Sequence, residues 1–189
     1  MGGLYRMLNS SKHKAGVTLM ELMAVIAIMG ILSGMGIAGL RSAVANARTK
    51  DAAFNVTAYL ERAANEARRL NATLCVKRDG DQKLVTYKSE CSANPLGAKV
   101  DELELESPVK IIDSQVKDGS FKDAEGKFLT NWYSGGAAFT PRPGLSAAPY
   151  SGYYAVQYAG RALYGAALKT KSKNSFTPMM GSDAGWSGI

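Results

Sequence analysis

Along the chain the hydrophobic positions change pattern three times. Residues 1–16 are polar and basic, with Arg6, Lys12, His13 and Lys14 and no acid. From Val17 to Leu40 the 24 residues are mostly apolar and carry one charge, Glu21; from Leu22 to Leu40 there is none. A helix of that length spans roughly 36 Å at 1.5 Å per residue, enough to cross a bilayer core. From Arg41 to Leu70 there is neither Gly nor Pro, and Val56, Tyr59, Leu60, Ala63, Ala67 and Leu70 recur at three- and four-residue spacing. That spacing predicts one apolar helical face. Residues 18–70 therefore predict a single bipartite helix, membrane-like in its first half, amphipathic in its second, and ending near Asn71. Arg62 and Glu66 stand at the i,i+4 spacing of a surface pair.

After Leu70 the pattern turns to that of strands. Thr73–Val76 and Leu84–Tyr87 flank the turn Asp79-Gly80-Asp81, as in a hairpin. Val109–Val116 holds another strand candidate. Asp118-Gly119 and Glu125-Gly126 mark further turns, and Ala137–Thr140 precedes the rigid break Pro141-Arg142-Pro143-Gly144. Tyr153–Tyr158 predicts a strand and Ala162–Leu168 its return, with Gly165 a candidate bulge. The Gly/Ser-rich tail from Ser172 is expected to be loose. The domain reading is 1–16, 17–40, 41–71 and a β-rich head at 72–189.

Composition narrows the functional classes. Apolar residues are 46% and charged residues 21% of 189, a globular average, with a net charge of +7. One histidine, His13, and two cysteines, Cys75 and Cys91, cannot furnish a four-ligand zinc site unless carboxylates join. A triad would have to use His13 near the N-terminus. No nucleophile–base set, metal constellation or cofactor is indicated, so an enzyme is not expected. Gly34-Met35-Gly36-Ile37-Ala38-Gly39 is a literal G-x-G-x-x-G, with Glu61 as the downstream acid. The preceding apolar run is too long for a strand and no βαβ alternation follows, so these glycines are read instead as weak points in a helix. Gly30 and Gly34 form G-x-x-x-G, which permits close helix approach.

Residues 1–40 admit several readings. A cleaved secretory signal has a shorter apolar region and a small-residue cleavage site. A plain membrane anchor, oriented with its basic end in the cytoplasm, leaves Glu21 unexplained. Thr18-Leu19-Met20-Glu21 also reads as a capping box, with Glu21 favourable on the helix dipole.

The segment Lys14-Ala15-Gly16-Val17-Thr18-Leu19-Met20-Glu21-Leu22, ahead of the apolar run, closely resembles the type IV prepilin signature: a basic leader ending in Gly, a hydrophobic first mature residue, then T-L-x-E-L. The resemblance implies cleavage between Gly16 and Val17 by a separate prepilin peptidase and N-methylation of Val17, which stands where Phe is commoner. It implies that Glu21, the fifth mature residue, aids filament assembly by pairing with a neighbour's N-terminal amine. It further implies an α+β pilin fold: a long N-terminal helix packed on an antiparallel β-sandwich-like head. Ala67–Cys75, Phe139–Gly144 and Ala159–Ala162 more weakly resemble GspH/FimT-type minor pseudopilins and minor pilins. The expected function is that of a structural subunit of a type IV pilus or type II secretion pseudopilus, a minor one in the first reading and a major pilin in the alternative. Its expected partners are the peptidase, other pilin or pseudopilin subunits in a hetero-oligomeric filament, and an inner-membrane assembly platform. The expected location is the bacterial inner membrane, with the head outside the cytoplasm, and then the filament.

In that compartment a Cys75–Cys91 disulfide is permitted; two reduced buried cysteines are the alternative. The acids between Asp101 and Glu125 lack the spacing of a calcium loop and read as a solvated face. Arg142, Arg161, Lys169, Lys171 and Lys173, with tyrosines nearby, form a candidate DNA-binding patch, which some FimT-type pilins would use in DNA uptake; the alternative is a solvated basic rim.

Overall fold

The structure, a computed structural model, describes residues 16–112, 129–132, 135–142, 151–161, 163–169, 175–182 and 185–189. It is an α+β fold. One helix, α1 (Leu19–Arg69), is followed by ten strands: β1 (Leu74–Asp79), β2 (Lys83–Tyr87), β3 (Lys99–Glu104), β4 (Val109–Ile112), β5 (Thr130–Asn131), β6 (Ala137–Phe139), β7 (Gly152–Tyr158), β8 (Leu163–Lys169), β9 (Thr177–Ser182) and β10 (Gly185–Gly188). The chain divides into two compact units, residues 1–41 and 42–189.

Local chemistry sets both ends of α1. At its start Thr18 Oγ1 accepts the Glu21 N–H at 3.2 Å, and the Thr18 carbonyl accepts the Leu22 N–H at 3.1 Å. This is an N-cap of the expected kind. At its end Asn71 adopts a left-handed φ of 46°. The Ala72 N–H then reaches the Ala67 carbonyl and the Asn71 N–H that of Arg68, at 3.1 and 3.2 Å. These two bonds make a Schellman cap. Gly30, Gly34, Gly36 and Gly39 lie inside this unbroken helix, not between a strand and a helix, so the dinucleotide reading has no structural support.

In the second unit the strands make two sheets, ordered β3-β2-β1-β6 and β10-β9-β8-β7-β4. Pairing is antiparallel except for the short parallel contact of β5 with β7. The expected hairpins are present: β1 with β2 in the register Val76↔Thr86, and β7 with β8 in the register Ala155↔Ala166. The amphipathic face of α1 (Ala53, Val56, Leu60, Ala63, Ala67) packs in one core with Leu74, Val76 and Leu84 of the first sheet and Tyr154, Val156 and Ala167 of the second. Two-residue alternation decides these faces. The opposite face of the second sheet gathers Tyr153, Ala155, Ala166 and Leu168 in a separate cluster.

Two tyrosine hydroxyls tie the second unit together, Tyr59 joining helix to sheet and Tyr154 joining sheet to sheet. The Tyr59 hydroxyl shares a 2.7 Å hydrogen bond with Thr86 Oγ1 and lies 3.3 and 3.2 Å from the Leu84 and Asp101 carbonyls. Burial pushes its pKa up to about 12. Tyr154 donates to the Val76 carbonyl at 2.8 Å, joining the two sheets. Burial raises its pKa too. The β1–β2 turn adds a second seam: the Asp81 carbonyl accepts the Ile111 N–H at 2.7 Å, and Lys110 Nζ lies 3.0 Å from the Asp81 carboxylate.

Several expectations are corrected. Gly165 is not a bulge: it pairs in regular register with Val156 and Met180. A Cβ there would stand 2.9 Å from the Thr49 carbonyl and 3.0 Å from Ala53 Cβ, so glycine lets the helix lie directly on β8. The tail expected to be loose forms β9 and β10, although Pro178 and three glycines weaken their strand signal. β3 was not anticipated as a strand, because four of its six residues are charged. Glu66 pairs with Arg69 at 2.5 Å, and Arg62 reaches Asp101 at 2.6 Å instead. A helical side chain leans toward the N-terminus, so Arg69 falls back on Glu66. The strand candidate at Val109–Val116 is described only to Ile112, and the turns at 118–119 and 125–126 lie outside the described residues.

Candidate functional site

Between Val17 and Leu40 every residue whose side chain is described is exposed; Leu19 is 76% and Met35 71% accessible. α1 contains a stretch long and apolar enough to cross a membrane, and none of it is buried within the chain. Exposing this much contiguous apolar surface to water is strongly unfavourable at ~25 cal/mol per Å². Among the described residues nothing covers this surface, and lipid or other chains would.

At the head of this surface, Gly16 and Val17 precede the helix and are exposed, as a protease substrate must be. Thr18 caps the backbone. That leaves Glu21 exposed in the first helical turn, with no hydrogen-bond or ion-pair partner for its carboxylate among the described residues. The carboxylate gains from the helix N-terminus, but inside an apolar layer it still requires an opposite charge. A free N-terminal amine from another chain would satisfy that requirement. A candidate assembly site is thus built from local helix chemistry alone.

A prokaryotic N-terminal methylation motif matches residues 11–37.

This match supports a type IV prepilin-like precursor, a structural protein, and with the apolar helix it fits a membrane-anchored chain. The match covers a minor part of the sequence. No curated protein and no solved structure matches the chain.

The remaining candidate residues lie in the second unit. Cys75, in β1, is disulfide-bonded to Cys91, with Cα atoms 5.1 Å apart. Gly136, at φ +78°, lies against this bridge; a Cβ there would stand 2.9 Å from Cys91 Sγ and 2.8 Å from Lys77 Cγ. The candidate DNA patch is dispersed in burial. Arg142 and Arg161 are exposed, Lys169 is 2% accessible at the end of β8, and Lys171 and Lys173 lie outside the described residues. Burial lowers the Lys169 pKa. The alternation of β8 takes this lysine out of the solvent face, a result its sequence neighbours do not reveal.

The acidic stretch is paired as far as it is described. Asp101 meets Arg62, Glu102 meets Lys99 at 2.6 Å, Glu104 meets Lys83 at 3.2 Å and Glu106 meets Arg48. Lys99 holds the Glu102 carboxyl below its usual range. Among the described residues no group of three His, Cys, Asp or Glu side chains could hold a metal ion. Sequence reasoning passed over Phe54, which is 41% accessible beside a groove of about 410 Å³ between α1 and the β3–β4 connection. Its outward helical position was the available signal.

Proposed function

We propose that the chain is a structural subunit of a type IV pilus or type II secretion pseudopilus. A prepilin peptidase cuts between Gly16 and Val17, the new N-terminus at Val17 is methylated, and the first half of α1 passes from lipid into a filament. The observation that carries this reading is the exposed apolar first half of α1, beginning at a Thr18 cap and a solvent-facing Glu21, inside a methylation motif. In lipid the apolar surface is covered on all sides; in a filament neighbouring helices replace lipid, an exchange of similar contacts with small net cost. Glu21 then recognises the amine of an adjacent subunit. The head, with its disulfide, stands outside the cytoplasm.

Intact mass and N-terminal sequencing of the protein from membranes of a peptidase-positive cell test the reading. The expected product begins at Val17 and is one methyl group heavier than the unmodified mature chain. A chain starting at Met1, beside a control prepilin that is cut, overturns it. The DNA-capturing alternative draws support from the exposed Arg142 and Arg161 and none from Lys169, which is 2% accessible.

A further inference from the structure

The second sheet carries a row of side chains that filament assembly leaves unused. Its register is continuous from edge to edge. Trp186 of β10 stands opposite Gly181 of β9, Gly181 opposite Tyr164 of β8, Tyr164 opposite Gln157 of β7, and Gln157 opposite Lys110 of β4. Two-residue alternation puts the row on the face away from α1, beside the cluster that holds Ala155 and Ala166. Gly181 has no side chain, so the rings on either side of it close over the gap. Their centroids are 6.2 Å apart and their planes 30° from parallel. Both rings are partly exposed, and together they make one aromatic platform. Polar groups border it. Gln157 Nε2 donates to the Arg161 carbonyl at 2.5 Å, and the Gln157 amide oxygen accepts no bond among the described residues. Arg161, in the β7–β8 turn, is exposed and makes no ion pair among the described residues.

We infer that this row binds a saccharide bearing a carboxylate. One side of a pyranose ring is a flat set of C–H bonds with partial positive charge, which suits the negative face of an aromatic ring. Its hydroxyls need a few fixed polar partners, such as an amide, at the edge of that platform. The free guanidinium of Arg161 selects the acid, because its fork matches a carboxylate. The two lysines in the strands of this sheet do not compete for it: Lys110 Nζ lies 3.0 Å from Asp81, and Lys169 is buried. A strand of nucleic acid fits the row less well. It brings a phosphate with every nucleotide and needs cations and stacking platforms in succession, whereas the row offers one platform and one free cation. Trp186 to Gln157 covers three interstrand spacings, about 14 Å, the reach of a short oligosaccharide. Binding by this face does not depend on whether the chain is cut at Val17.

The test titrates the full-length chain, in a neutral polyoxyethylene detergent that carries no sugar, with a short galacturonate oligomer. A neutral dextran oligomer and oligothymidylate are the comparison probes. Trp132 is 2% accessible and Trp186 partly exposed, so a change in tryptophan emission reports on the platform. The galacturonate oligomer is expected to give a saturable change, and the other two none at the same concentration. By calorimetry Trp186→Ala and Arg161→Gln are each expected to weaken binding about tenfold, the effect of losing one anchoring side chain. Trp186→Phe, which keeps a ring, should retain most of the affinity. Arg142→Gln, an exposed arginine beyond β6 of the other sheet, should leave it unchanged. An intact Cys75–Cys91 bridge and an unshifted thermal midpoint check that each variant is folded. No saturable change with the galacturonate oligomer overturns the inference. Equal binding of dextran overturns the role of Arg161, tighter binding of oligothymidylate gives the row to nucleic acid instead, and an equal loss in Arg142→Gln reduces the effect to general attraction by a basic surface.

Discussion

The two halves of α1 use the same residue types to opposite ends. In residues 42–69 one apolar face is covered by strands: Val56 and Leu60 have no accessible surface, although Val44 and Phe54 lie outside that face and are exposed. In residues 17–40 apolar positions fall on every side, and none of those described is buried. One helix thus holds a segment whose fold energy is internal and a segment whose energy comes from its surroundings. An apolar stripe about one face wide marks a helix that packs on its own chain, whereas apolar residues all round mark one that packs on something else.

Paired substitutions across the two halves test that contrast. The largest expected difference is between Leu60→Ala and Leu32→Ala. The first opens a cavity in the shared core and should cost about 3 kcal/mol. The second removes a side chain that is 63% accessible among the described residues and should leave the thermal midpoint of the full chain in detergent unchanged. Equal shifts would break the comparison. Gly165→Val against Gly34→Val is next. The added atoms at Gly165 meet the Thr49 carbonyl and Ala53, whereas among the described residues no other atom lies within 4 Å of a Cβ at Gly34 beyond its chain neighbours and the adjacent helix backbone. Overpacking should cost about 2 kcal/mol at the first site, read by the same melt, and the change at Gly34 should be silent there.

The smallest effect belongs to Tyr59→Phe, which loses the bond to Thr86 and should cost about 1 kcal/mol. The same residue has a pH signature. Because its pKa is raised from 10.0 to about 12 when folded, its contribution is fully present below pH 10 and lost as pH rises toward 12. Melting measured across that interval should fall more steeply for the native chain than for Tyr59→Phe. If the two slopes match, Tyr59 does not couple the second half of α1 to the sheets as described.

Much of the contrast was legible before any coordinates. The width of the apolar stripe in each half of α1, the Thr18 cap and the hairpins about Gly80 and Gly160 depend on residues within a turn or two of one another. Other features depended on distant strands. Arg62 chose Asp101 over Glu66 because β3 runs beside the helix. β9 and β10 formed despite Pro178, because β8 offered a complete ladder of partners from Leu163 to Leu168. Lys169 stands in a basic run in sequence and is nonetheless buried at the end of β8.

The sequence by itself determined the bipartite helix, the exposed Gly16–Val17 junction, the position of Glu21 in the first turn and the α+β class, since hydrophobic period, helix capping and turn chemistry act over a few residues. The tertiary structure decided the closure of Cys75 on Cys91, the contact that requires glycine at 165, the pairing of the acidic stretch and the groove beside Phe54. Each of these joins residues far apart in the chain. Their approach is set by how two sheets and one helix share a core, which no local pattern encodes.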